Sequence, residues 1–179
     1  MLYYLLLIPP VLIVAFIAVV AMQSADFRIV RSKTVAAPTS AVFAQVDDFH
    51  HWDAWSPWAK LDPTMQQHFE GAAAGRGAIY HWNGNGQVGE GRMEILDSQP
   101  NKSVTIKLDF MKPFKATNQT LFTFEPKGDQ TVVTWDMTGK KNFMSKAFHL
   151  LVNMDKMLGR QFEQGLTQLE AAAQAAVRT

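Results

Sequence analysis

NFMSKAFHLLVNMDKMLGRQFEQGLTQLE, residues 142–170, carries Met144, Phe148, Leu151, Leu158, Phe162, Leu166 and Leu169 at steps of three, four or seven. That period puts them along one helix face. The pattern predicts a single long amphipathic helix from about Asn142 onward, ending in an Ala-rich tail, EAAAQAAVRT, that is expected to fray. Gly159 and Gly165 interrupt it. Each weakens a helix by about 1 kcal/mol relative to Ala, or permits close packing against another element. Asp155 is the one charged residue in the stripe.

Before this helix the period is two. SVTIKLDFM, from Ser103, alternates Val104, Ile106, Leu108 and Phe110 with Thr105, Lys107 and Asp109, the mark of a half-buried antiparallel strand. MQQHFEG, GRGAIYHWNGN, QVGEGRMEIL, ATNQTLFTFEP and QTVVTWDMTG read the same way. FRIVRSKTVAAP, from Phe27, is a first strand stopped by Pro38. TSAVFAQVDDF follows as a short helix, with Thr39 or Ser40 expected to cap it. HHWDAW adds a further helical turn before Pro57. A sheet of about six or seven antiparallel strands followed by one long helix is an α+β layer arrangement. A curved sheet gripping such a helix leaves a cavity suited to apolar ligands. Alternation points Tyr80, Trp82, Met93, Leu108, Phe122, Trp135 and Met137 toward the helix, where Phe148, Leu151 and Met154 face them. These side chains either line a pocket or fill a solid core. Nine methionines supply a deformable lining.

DFHHWDAWSPWAKLDP, Asp48–Pro63, holds three of the five tryptophans. Trp52 and Trp55 read as packing anchors. Trp58, in the loop after Pro57, is placed for a cavity rim.

The first 22 residues contain no charge. About 20 apolar residues span a ~30 Å hydrocarbon core. Residues 1–24 are therefore expected to form a transmembrane anchor, with the folded domain over 27–179. A cleaved signal peptide would want a basic n-region and a small-x-small site, and neither stands out. Pro9 and Pro10 are tolerated in a membrane helix, or open its first turn. Arg28, Arg31 and Lys33 follow the apolar run and nothing basic precedes it, which puts the domain on the cytoplasmic side of a single-pass membrane protein.

Several chemistries lack their residues. A formal charge of +1, from 17 basic and 16 acidic residues with no basic run, gives nucleic acid no electrostatic footprint. Cysteine is absent, so disulfides and thiol chemistry are excluded. His50, His51 and Asp53, with His68 or His81, lack the spacing of a metal site. No G-x-S-x-G elbow is present, and Ser56, between Trp55 and Pro57, reads as a turn cap. The glycine-rich NGNGQVGEG lacks the helix start of a phosphate loop and reads as a hairpin connection, so no cofactor is expected. For general acid–base work the candidate is Asp155, whose carboxyl would have a raised pKa if buried unpaired. The alternative is that it pairs with a strand residue such as His81 or faces water. Glu90, Glu94, Asp109 and Asp136 fall on the solvated strand faces.

The chain after residue 27 resembles the SRPBCC superfamily, the START-like or helix-grip fold, and in particular its polyketide cyclase/dehydrase-like branch. The residues that carry this are VAAPTSAVFAQVDDFHHWDAWSPW, GRGAIYHWNGNGQVGEGRMEI, TVVTWDMTG and MDKMLGRQFEQGLTQLE, with Asp48, Trp52, Trp55 and Pro57 in a D-x-x-x-W-x-x-W-x-P pattern. The resemblance implies short helices capping one end of a curved sheet, a cavity beneath the long helix, and a bacterial inner-membrane setting for an anchored member. It does not fix an activity, because the superfamily spans lipid carriers, receptors, cyclases and quinone-binding proteins. The expected function is binding of a small hydrophobic ligand, lipid or isoprenoid-like, at the membrane. The alternatives are a cyclase- or hydratase-like enzyme using Asp155, or a module that binds a protein partner through an exposed apolar patch.

Overall fold

The computed structural model describes residues 2–178, with the side chains of residues 2–7 and of Leu151 outside that description. Helix α1 (Leu2–Met22) leads into β1 (Asp26–Val35), α2 (Thr39–Asp47) and a 3-10 turn (Phe49–Ala54). Six strands follow: β2 (Gln66–Gly71), β3 (Ala78–Asn83), β4 (Glu90–Gln99), β5 (Ser103–Lys112), β6 (Ala116–Lys127) and β7 (Gln130–Lys140). Helices α3 (Phe143–Leu151) and α4 (Met154–Arg178) complete the chain.

All strand pairs are antiparallel, in the order β1-β7-β6-β5-β4-β3-β2. The α+β class and the seven-stranded sheet are as the alternation requires. Register shifts in β4 at Glu90/Gly91 and Ile95/Asp97 bend the sheet, as bulges do. The first strand reaches the far end of the order because β1 pairs along its whole length with β7.

The long helix is not continuous. Val152 adopts an extended conformation (φ −124°, ψ 127°) and closes α3. Asn153 then starts α4, its Oδ1 accepting the Lys156 amide at 2.9 Å. Asn142 caps α3 likewise, accepting the Ser145 amide at 2.8 Å. Hydrophobic period alone does not register such a cap, because the stripe resumes in phase after it. The α2 cap also differs from expectation. Pro38 occupies the cap position with no side-chain bond, and Thr39 Oγ1 instead meets Thr131 Oγ1 of β7 at 3.0 Å. The Ala-rich tail is helical as far as Arg178, the last residue described, and its first turns are tied to the rest of the domain. Ala173 is fully buried, Glu170 accepts the Ala36 amide at 2.9 Å, and Gln174 donates to the Ala36 carbonyl at 3.2 Å.

Helix α4 lies against the inner sheet face through Phe162, Leu166 and Leu169, all buried. Trp135 of β7 stacks flat on Phe162, centroids 4.1 Å apart and planes 3° apart. Along the β1 edge, Arg31 reaches Asp155 and Glu163, and Lys33 reaches Glu170, which ties strand to helix by charge.

Among the described residues no helix is long and apolar enough to cross a membrane. The described side chains of α1 begin only at Ile8, so the first part of the expected 1–24 anchor lies outside them. The far end of α1 packs on α3, with Val20 buried, Lys146 Nζ donating to the Ala21 carbonyl at 3.3 Å, and the Lys141 amide donating to the Ala25 carbonyl at 2.6 Å.

At Gly165 α4 packs closely against the sheet. A Cβ there would sit 2.8 Å from Trp135 Cζ3 and 3.2 Å from Pro57 Cδ. Gly165→Ala gains about 1 kcal/mol of helix propensity but overpacks, which costs about 1–3 kcal/mol. The expected net result is a lower midpoint in thermal or denaturant unfolding. A midpoint at or above that of the parent protein would show that this contact does not constrain the helix.

Candidate functional site

The period-two pattern sets rows of side chains across the inner sheet face. One row runs Tyr80, Met93, Leu108, Asn118. The next runs Ile95, Ile106, Thr120, Met137. Between these rows and the start of α4 lies a cavity of about 450 Å³. The capping segment closes one side with Trp52, Trp58 and Met65, and α4 closes another with Met154 and Leu158. Exposed lining residues, among them Lys112, Pro113, Lys140 and Met157, mark its opening.

Of the expected pocket residues, Trp58, Tyr80, Trp82, Met93, Leu108, Trp135, Met137 and Met154 line this cavity together. Phe122 does not. It is fully buried one row further in, with ring contacts to Trp52, Trp55 and Trp135, and fills the sealed end. Phe148 is also outside, because the break at Val152 separates α3 from α4 and leaves Phe148 51% exposed. The side chain of Leu151 lies outside the described residues.

The tryptophan cluster divides by depth. Trp55 is fully buried and donates Nε1–H to the Gln45 carbonyl at 2.9 Å. Trp52 donates to the Val46 carbonyl at 3.1 Å, so both pin α2 to the turn that follows it. Trp52 nevertheless shows a face to the cavity, a role the anchor assignment overlooked. Trp58 meets Trp135 and Phe162 edge-on at the rim, at 5.9 and 6.4 Å.

Other lining residues escaped the sequence analysis. Asn118 and Thr120 share the inward face of β6 with Phe122 and Phe124, and both are buried. The alternation of ATNQTLFTF places them inward, but their polarity hides them from a search for apolar residues. His149 and Met157 join from the helices.

Asp155 lies elsewhere. Its side chain is 63% exposed and 3.1 Å from Arg31 Nη2, and it does not line the cavity. The hydrogen bond from Arg31 holds its pKa below the usual carboxylate value. The premise of a buried, proton-holding acid is therefore corrected: the helix start turns Asp155 outward, toward β1. Its partner is Arg31, while His81 sits near Glu70 at 3.5 Å. Burial, and secondarily the charge of Asp53, raises the Tyr80 pKa, so its hydroxyl stays protonated. Burial, then Lys141, lowers that of His149, which favours the neutral ring. His50 pairs with Asp48 at 2.7 Å, His51 meets the Ala44 carbonyl at 3.0 Å, and His68 meets Glu70 at 3.0 Å. Among the described residues no cluster of three metal-ligating side chains forms.

A protein family described as polyketide cyclase / dehydrase and lipid transport matches residues 26–174. The chain belongs to this family. Solved structures of similar fold agree. A protein from Mesorhizobium loti is 15% identical with a TM-score of 0.61, covering 83% of this chain and 98% of that one. A protein from Nitrosospira multiformis is 17% identical with a TM-score of 0.60, covering 86% and 100%. The Aha1 dimer from Colwellia psychrerythraea is 15% identical with a TM-score of 0.58, covering 82% and 96%. At these identities the likeness concerns fold. No curated protein matches the sequence. Family and cavity together make the domain a ligand-binding SRPBCC domain.

The Arg31–Asp155 pair sets a pH dependence. A carboxylate whose folded pKa is depressed adds stability above its unfolded pKa, and loses it as pH falls through the folded one. Asp155→Asn should lower the unfolding midpoint at neutral pH. The difference from the parent should close below the ordinary carboxylate range, with cavity ligand content unchanged at either pH. A variant that loses bound ligand would return Asp155 to the site.

Proposed function

We propose that the domain binds a small hydrophobic molecule, lipid or isoprenoid-like, in the cavity between sheet and α4, and does so at a membrane held by α1. The cavity itself carries this reading. It lies within the range of small-molecule sites, and its walls are largely apolar, with seven Phe, Tyr or Trp rings and five methionines among them. The family description, which includes lipid transport, supports the ligand class.

The anchor rests on other observations. Val11, Leu12 and Val14 of α1 are 63–66% exposed, apolar surface that a bilayer would cover. On α3, beside the end of α1, Phe143, Met144 and Phe148 are also exposed. Lys140, Lys141 and Lys146 stand near them, a basic and apolar face suited to an anionic lipid surface. The cavity lining includes Lys140 and Lys141, so this face adjoins the opening. A ligand partitioned in the membrane would meet the cavity there. With the positive flank Arg28, Arg31 and Lys33, the domain sits on the cytoplasmic face, in a bacterial inner membrane. A catalytic role has lost its acid, since Asp155 is outside.

Native mass spectrometry of the full chain, purified from its host in mild detergent and followed by lipid analysis of the extract, tests the proposal. The expected result is a stoichiometric hydrophobic adduct. Leu108→Trp, which fills the cavity, should lose the adduct while keeping its circular dichroism spectrum. A bare mass for the parent protein after incubation with host lipids would end the ligand-binding reading.

A further inference from the structure

Every second residue of β5 from Ile106 onward lines the cavity: Ile106, Leu108, Phe110 and finally Lys112. At about 3.3 Å per residue this wall runs for about 20 Å. Along it the lining passes from apolar to cationic. Register brings two more lysines to the same end of the sheet. Phe110 pairs with Ala116 at the start of β6, Asn118 pairs with Gly139 near the end of β7, and Lys140 and Lys141 come next. Both line the cavity. Lys112 is occupied by Glu90 at 2.6 Å. Lys140 and Lys141 are not: among the described residues neither side chain has an ion pair or hydrogen bond, although Asp26 lies opposite Lys140 in register.

Other charges do not cancel them. Asp53 is the one carboxylate among the described lining residues. It belongs to the capping segment, where it accepts from Gln67 Nε2 at 2.9 Å and its charge acts on Tyr80. His149, also in the lining, is held toward the neutral ring by burial and then by Lys141. The opening thus carries two unpaired ammonium groups above an apolar interior. Resting on the cavity as a hydrophobic-ligand site, we infer that its ligand is an amphiphile with an oxyanion head, a carboxylate or phosphate, whose apolar body lies along β5 and whose head stays at the opening with Lys140 and Lys141. A head drawn fully inside would lose its hydration. At the opening it keeps water on one side and gains charged donors on the other. Lysine acts as a point charge and suits either oxyanion. A neutral head gains little from the two lysines, and a cationic head is repelled.

The test uses probes that share one alkyl chain: dodecanoate, dodecyl phosphate, dodecanol and dodecyltrimethylammonium. Each is titrated calorimetrically, at mildly alkaline pH, into the full chain in nanodiscs of zwitterionic lipid, with empty discs subtracted. The expected result is that the anions bind about fivefold more tightly than dodecanol, the increment of two part-exposed charge pairs, and that the cation binds most weakly. The tighter of the two anions assigns the head as carboxylate or phosphate. In the double variant Lys140→Gln with Lys141→Gln the preference for anion over alcohol should fall toward unity. Its unfolding midpoint should match the parent's, since neither side chain has a partner in the fold, which separates lost recognition from lost folding. In Leu108→Trp every probe should lose binding, which ties the anion to the cavity. Anion binding that survives in Leu108→Trp puts the lysines at the lipid surface alone and overturns the inference. Equal binding of the anions and dodecanol also overturns it and leaves the hydrophobic cavity standing. Failure of every probe to bind overturns both.

Discussion

The flat stack of Trp135 on Phe162 is the contact on which the rest of the domain depends. It joins the last strand to the last helix, two elements the chain could otherwise pack in several ways. Gly165 allows the approach, and Phe122, Trp55 and Trp58 surround Trp135 with further ring contacts. The same indole is buried in the core and also lines the cavity. The position of α4 over the sheet therefore fixes how much space remains toward its start.

Space and closure come from different parts of the chain. Toward the C-terminal end of α4, Leu166, Leu169 and Ala173 fill the interface completely. Toward its start, Met154, Met157 and Leu158 leave a gap. The capping segment after α2 bridges the two regimes. Trp55 belongs to the solid part, Trp58 to the open part, and Trp52 to both. One sheet face thus serves as a core at one end and as a binding wall at the other, without a second domain.

Most of the sheet was legible because alternation is a property of single strands. SVTIKLDFM and QTVVTWDMTG declare their inward faces with no knowledge of their neighbours. The helix was legible in kind but not in extent: Asn153, a cap between two in-phase apolar stripes, splits it in a way that periodicity passes over. The cavity wall was read through Tyr80, Trp82, Met93 and Leu108, whose faces follow from their strands. Phe122 and Phe148 were misplaced because depth along a strand and rotation about a helix break are set by packing. Asn118 and Thr120 lay on a readable face, yet inward polarity carries meaning only once the space in front of it is known. For Asp155, a gap in an apolar stripe left open a buried acid, a pairing with a strand residue or a water-facing edge; in the fold it pairs with Arg31 of β1 at the outer edge, and only His81 as partner was misjudged.

Only Gln23, Ser24 and Ala25 separate the end of α1 from the start of β1. Three residues reach about 10 Å when extended, and here the Lys141 amide bonds to Ala25, which shortens the leash further. In the proposed membrane setting the domain has no freedom to carry cargo across an aqueous gap. It would exchange molecules with the lipid directly beneath it, and anything that takes those molecules onward would have to come to it. That geometry belongs to a stationary receiving point, not a shuttle.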